Sequence, residues 1–134
     1  MMRVRKTVQA VIFSRDDKNK ILLVKKLDQN KPVYHWRLLK GGVEGNETPE
    51  EALKREIAEE VGLKNVRIIS IIYDYTYDFG DTTHIVTTYL VEANPKEQIT
   101  LDTKEVVGYA WMGKVEALRL LYWDNEKNAV KLLK

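Results

Sequence analysis

The chain has 134 residues, 44% hydrophobic and 31% charged, an ordinary balance for one folded domain that needs no disulfide or metal staple. Lysine plus arginine number 22 against 20 acidic residues, so the net charge of +2 carries no strong signal for nucleic acid or an anionic membrane. The absence of cysteine excludes thiol catalysis, cysteine-ligated zinc and disulfides, and agrees with a reducing cytoplasm.

From the N-terminus, the basic stretch Met1 to Lys6 leads only into Ala10-Val11-Ile12-Phe13, too short for a secretory signal, and no window approaches a membrane span. The expectation is a cytoplasmic protein without membrane association, forming a single domain over residues 1–134. Residues 7–14 are rich in β-branched side chains and read as a strand, 15–20 as a turn, and 21–24 as a second strand, together a hairpin. A polar loop with Pro32 leads to the apolar piece Trp36 to Leu39, followed by a glycine-containing loop over 40–47.

The next segment has the clearest boundaries. Thr48 suits an N-cap, Pro49 the first helical position, Glu51 the capping box, and Gly62 a left-handed stop. Leu53, Ile57 and Val61 recur every four residues beside Ala52, so 49–61 is predicted to be a helix with one buried stripe. Residues 66–77 and 83–93 read as strands joined by a turn at 78–82, and 107–112 as a last strand. Residues 114–123 and 125–133 read as short helices, with Asp124 a possible cap. This mixture predicts an α/β fold, a sheet covered on its faces by helices.

On the 49–61 helix, Glu56 and Glu60 are four residues apart and Glu59 is one turn after Glu56, so three carboxylates share one surface. Like charges at this spacing oppose helix formation by roughly 0.2–0.5 kcal/mol per pair. Arg55 relieves part of this, and a hard divalent cation would relieve the rest, since Mg²⁺ prefers oxygen ligands and is often shared with substrate phosphate. A bare acidic face would equally be a solvated surface. Gly41, Gly42 and Gly45 around Val43 and Glu44 tip the balance, because such a loop lets backbone come close to a phosphate or metal.

Together these residues spell Gly41-x5-Glu47-x7-Arg55-Glu56-Ile57-x-Glu59-Glu60-x-Gly62-Leu63. At ordinary residue usage the seven fixed positions arise by chance in fewer than roughly one in a million chains of this length. The pattern matches the signature of the Nudix (MutT-like) hydrolases in full, over residues 41–63, and the flanking elements also resemble that family. The resemblance implies an α/β/α sandwich around a mixed sheet and hydrolysis of a pyrophosphate bond in a nucleoside diphosphate linked to another group. It implies that Glu56, Glu59 and Glu60 bind one to three Mg²⁺ or Mn²⁺ ions, that Arg55 and Glu47 hold the motif in shape, and that Glu56 or Glu59 takes the proton from water. Several relatives carry a further acidic ligand where Glu105 stands here, ahead of the last strand.

The run Trp36-Arg37-Leu38-Leu39-Lys40-Gly41-Gly42-Val43-Glu44 resembles that of dinucleoside tetraphosphate hydrolases and RNA pyrophosphohydrolases, with Leu39 in place of the usual proline and Gly45-Asn46 in place of Pro-Gly. Asn46 tolerates a left-handed backbone, so the second change need not distort the loop. A dinucleoside polyphosphate is the expected substrate; nucleoside triphosphates, RNA 5′ ends and a binding-only module are the alternatives. Lys40, Gly41 and Gly42 are expected to meet phosphate, as Lys25 and Lys26 could. Tyr73, Tyr75 and Tyr77 share one strand face, and Tyr75 and Tyr77 are expected to stack on a base. His35 and His84 lack partners at metal-ligand spacing and receive no role. Many relatives dimerise, so a monomer and a homodimer are both open.

Overall fold

The computed structural model describes residues 2–28, 31–102 and 104–133. The termini of the expected domain, Met1 and Lys134, lie outside the described residues. Among these residues seven strands form one mixed sheet, with helices on both faces. The chain order is β1 (Arg3–Ser14), β2 (Lys20–Asp28), β3 (Val33–Arg37), β4 (Leu39–Gly42), α1 (Pro49–Val61), β5 (Arg67–Phe79), β6 (Thr82–Ala93), β7 (Val106–Gly113), α2 (Lys114–Leu120) and α3 (Asp124–Lys131).

β1 organises the sheet. It pairs in parallel with β6 along its whole length, from Arg3↔Thr82 to Ser14↔Ala93. On its other side it is shared: Thr7 to Ala10 pair with β4, and Ile12 and Phe13 pair with β2. The sheet therefore splits along β1, with β2 carrying β3 and β7 away from β4. Among the described residues β4 pairs with β1 only.

Being paired on both sides, β1 is buried on both faces from Thr7 onward. Its alternation distributes two cores. Val8, Ala10 and Ile12 pack with Leu22, Val24, Tyr89 and Val91 beneath Ala52, Leu53, Ile57 and Val61 of α1. Val11 and Phe13 pack with Ile21, Leu23 and Met112 beneath Ala117, Leu121, Ala129 and Val130 from the C-terminal helical region. This is the expected α/β/α layering.

Most predicted elements recur with longer strands. The glycine loop differs: Lys40 to Gly42 belong to β4, because β1 offers them a partner edge. At α3 the N-cap is Trp123, not Asp124, and no side chain caps it; Asp124 falls in the first turn, where its charge suits the helix dipole. Among the described residues no helix is long and apolar enough to cross a membrane.

A carboxylate-bearing helix beside an aromatic cavity

α1 starts and stops as predicted. The Thr48 side chain accepts from Glu51 N–H at 3.1 Å while Glu51 accepts from Thr48 N–H at 2.9 Å, and Gly62 closes the helix at φ 73°. Beyond it, Thr100 N–H donates to Val61 C=O at 2.9 Å and Asp102 N–H to Glu60 C=O at 3.1 Å. The segment leading to Glu105 is thereby tied to the last turn of α1.

Arg55 connects the motif. Its Nε and Nη2 donate to the two oxygens of Glu47 at 2.6 and 3.0 Å, Nη2 also to Gly42 C=O at 2.9 Å, and Nη1 to Glu56 Oε1 at 2.9 Å and Glu59 Oε2 at 3.3 Å. The guanidinium thus bridges β4, the loop and the helix. Its hydrogen bond holds the Glu47 carboxyl below the usual range, with the Glu44 backbone N–H assisting. Burial raises the Glu56 carboxyl, against the opposing pull of Arg55.

Glu60 faces inward, 7% exposed. Lys26 Nζ on β2 meets its Oε1 at 2.5 Å, while Oε2 is buried with no hydrogen-bond partner among the described residues. Burial raises this carboxyl; Lys26 opposes the shift, and the charges of Glu56 and Glu105 add to it. Glu105, in the turn before β7, is therefore near enough to feel Glu60, although its side chain is exposed.

Among the described residues no three acidic side chains converge on one point as metal ligands. Each box carboxylate leans on a cation instead: Glu56 and Glu59 on Arg55, Glu60 on Lys26. The donor set nonetheless fits a hard divalent ion. All four groups are carboxylates on or beside one helix turn, and the unpartnered Glu60 Oε2 is a buried acceptor without a donor.

Gly41 and Gly42 are glycine for reasons internal to the chain. A Cβ on Gly41 would overlap the Glu56 carboxyl, and one on Gly42 would overlap the Arg5 guanidinium. Gly45 takes the left-handed turn of the loop at φ 52°, and Asn46 does not.

On the opposite face of the sheet lies a cavity of about 710 Å³, whose walls include Arg37, Lys40, Tyr75, Tyr77, His84 and Trp123. Tyr75 and Tyr77 both line it, as does Lys40, whose Nζ lies 3.4 Å from Tyr77 Oη and 4.9 Å from the ring centre. Burial, and next the Arg37 charge, lower the Lys40 ammonium to about 8. The Tyr75 hydroxyl donates to buried Gln9, and burial pushes its pKa up. Tyr73 instead donates to Asn125 on α3 at 3.1 Å. Lys25 and Lys26 do not line the cavity; Lys26 is committed to Glu60.

Several cavity residues were invisible to motif reasoning. His84 stacks on Tyr77 at 4.6 Å, and His35 packs between Tyr122 and Trp123, each 4.9 Å away. Arg37 lies 4.0 Å over the Trp123 ring and is held by Glu126. These residues come from β3, β5, β6, the link between α2 and α3, and α3 itself, so no local spacing could have grouped them. The Trp-Arg and Trp-Asp-Asn-Glu runs were the only traces in the sequence.

The cavity and the carboxylates meet across β4. Lys40 faces the cavity and Gly41, the next residue, lies under Glu56. A ligand reaching from one to the other crosses the edge of β4 that lacks a strand partner.

A family model described as NUDIX domain matches residues 4–133. The chain is 32% identical over 117 residues to the RNA pyrophosphohydrolase of Nitratiruptor sp., covering 77% of this chain and 72% of that protein. To the RNA pyrophosphohydrolase of Acidiphilium cryptum it is 38% identical over 77 residues, covering 56% of this chain and 46% of the relative. Among solved structures, a C. elegans Ap4A hydrolase binary complex aligns with a TM-score of 0.81 and 20% identity over 95% of this chain and 93% of the other. The MutT protein from Methanosarcina mazei aligns with a TM-score of 0.79 and 19% identity, over 97% and 92%. At such identities the structural likeness shows the fold.

Proposed function

The chain belongs to the Nudix family of pyrophosphohydrolases, and from that premise we infer that it cleaves a pyrophosphate link in a nucleotide whose base enters the aromatic cavity. The observation carrying this reading is the meeting of two unlike sites at one strand: carboxylates under Gly41 and an aromatic cavity at Lys40. In this reading Glu56, Glu59 and Glu60, with Glu105, hold Mg²⁺ or Mn²⁺. When bound, such an ion supplies charge neutralisation for the phosphates and a lowered pKa for the attacking water.

The remaining work falls to the chain. Arg55 keeps Glu56 and Glu59 from splaying apart and ties them to the backbone of β4. Glu56 or Glu59 takes the proton of the attacking water, each having one oxygen anchored on Arg55. Lys40 meets the polyphosphate as the chain of phosphates rounds β4, beside Gly41 and Gly42. Tyr75 and Tyr77 give the base a stacking wall.

The preferred substrate is the 5′-triphosphate end of an RNA, a reading supported by the names of the curated relatives. A dinucleoside tetraphosphate is the second reading, since the run Trp36 to Glu44 resembles both kinds of hydrolase. The test is chromatography of 5′-triphosphorylated RNA and of diadenosine tetraphosphate after incubation with protein and Mg²⁺ or Mn²⁺, beside a Glu59→Gln control. RNA with 5′-monophosphate ends supports the first reading, and ATP plus AMP from the dinucleotide supports the second. If neither substrate nor any nucleoside triphosphate is cut, the catalytic reading fails and nucleotide binding without turnover replaces it.

A further inference from the structure

Arg37 is one of the charged residues among the aromatic rings that line the cavity. One face of its guanidinium lies 4.0 Å over the Trp123 ring. One edge is committed to Glu126, whose Oε2 accepts from Nε at 3.3 Å and from Nη2 at 3.1 Å. The other oxygen of Glu126 accepts from Leu38 N–H at 2.7 Å, so both oxygens of a 1% exposed carboxylate are engaged, one on the guanidinium and one on the backbone of the next residue. The opposite edge, formed by Nη1 and the second N–H of Nη2, has no hydrogen-bond partner among the described residues, and Arg37 lines the cavity.

The charge balance says what that edge suits. Glu126 neutralises Arg37, so the pair has little net attraction for phosphate, whereas Lys40 lines the same cavity and is bonded to Tyr77. The neutralised edge is a planar pair of donors, rigidly held, which matches two adjacent neutral acceptors. Among nucleobases, N7 and O6 of a 6-oxopurine present that pair; adenine offers N7 beside an amino donor.

We propose that Arg37, positioned by Glu126 on Trp123, reads the N7/O6 edge of the substrate's base and makes the cavity selective for guanine and hypoxanthine over adenine. This rests on the reading of the cavity as the base site and adds the identity of the base. A well-formed bidentate contact of this kind discriminates between bases by about tenfold or more.

The test is calorimetric titration of the protein with GMP, IMP and AMP, with hydrolysis of the matching triphosphates measured separately. GMP and IMP are expected to bind about tenfold more tightly than AMP. In Arg37→Lys, which keeps a cation beside Glu126 but loses the planar fork, that ratio should fall toward one. In Glu126→Gln, which keeps the contact to Leu38, it should narrow. The ratio is internal to each protein, so a general loss of folding does not imitate the result, and the wild-type order alone already tests the idea. Equal binding of GMP and AMP overturns it. Tight GMP with IMP as weak as AMP also overturns it, because the base would then be read at its 2-amino group. Selective GMP and IMP binding without hydrolysis of any substrate would sink the proposed activity and leave this inference standing; hydrolysis without base preference would do the reverse.

Discussion

Removing Glu126 should unfold the protein more readily than removing any surface carboxylate, and the two obvious substitutions should separate. In Glu126→Ala, Leu38 N–H, in a residue 1% exposed, loses its 2.7 Å acceptor, which costs ~1–3 kcal/mol. Arg37 loses its anion as well, but its side chain is 25% exposed and opens on the cavity, so water replaces part of that contact. Breaking a buried ion pair from one side costs ~3–5 kcal/mol, and the wet end of Arg37 puts this case near the lower bound. At roughly 3–5 °C per kcal/mol for a chain of this length, the melting temperature should drop by ~10–15 °C. Glu126→Gln keeps an oxygen for Leu38 N–H but turns an amide NH2 toward Arg37, so the hydrogen bonds from Nε and Nη2 go with the charge, a loss of ~1–2 kcal/mol because water reaches that end of Arg37. Urea unfolding followed by tryptophan fluorescence reads both variants, with equal m-values confirming that stability alone changed. Equal losses in the two variants, or losses below ~1 kcal/mol in both, would refute the claim that Glu126 latches α3 to the junction of β3 and β4.

Four further outcomes follow from the geometry. Gly41→Ala places a Cβ inside the Glu56 carboxyl and must rotate it off Arg55, so turnover should fall by roughly a hundredfold with little change in melting temperature; unchanged turnover would show that Glu56 is not held there for catalysis. Lys40 is cationic below about 8, so KM for a polyphosphate substrate should rise as pH passes that value, and Lys40→Met should have a higher KM without this limb. The same shift lies below the ordinary 10.5, so the unfolded chain binds more protons between these values and wild-type stability should rise with pH across that window, a gain absent from Lys40→Met in matched thermal melts. Glu105→Gln should lower turnover by about tenfold and weaken Mn²⁺ binding in a paramagnetic resonance titration; wild-type values in both would remove Glu105 from the site.

Half of the site was legible because it is local. A capping box, a four-residue apolar repeat and three carboxylates are properties of one helix, and the glycine stop at 62 fixes where it ends, so spacing alone orders them. The cavity is the reverse case. Arg37 meets Glu126 across 89 positions and Gln9 meets Thr88 across 79, contacts made only by the sheet order and by α3 folding back. The same lack of long-range information explains three misplacements. Gly41 and Gly42 look like a flexible loop until β1 pairs with them, and His84 looks idle until β6 sets it on Tyr77. Lys26 reads as a phosphate contact next to Lys25, yet strand alternation turns it inward to Glu60.

The amides of Thr100 and Asp102, borrowed by the last carbonyls of α1, have a fate of their own. A loop bonded mostly to water exchanges its hydrogens at will, but these two can exchange only when the end of the helix lets go. The helix end and these two residues therefore open as one cooperative unit. Hydrogen-exchange rates at Thr100 and Asp102 should follow those of the final turn of α1, and a divalent ion steadying that turn should slow them as well. These two amides then report on whether the acidic helix is loaded, without themselves touching the ion.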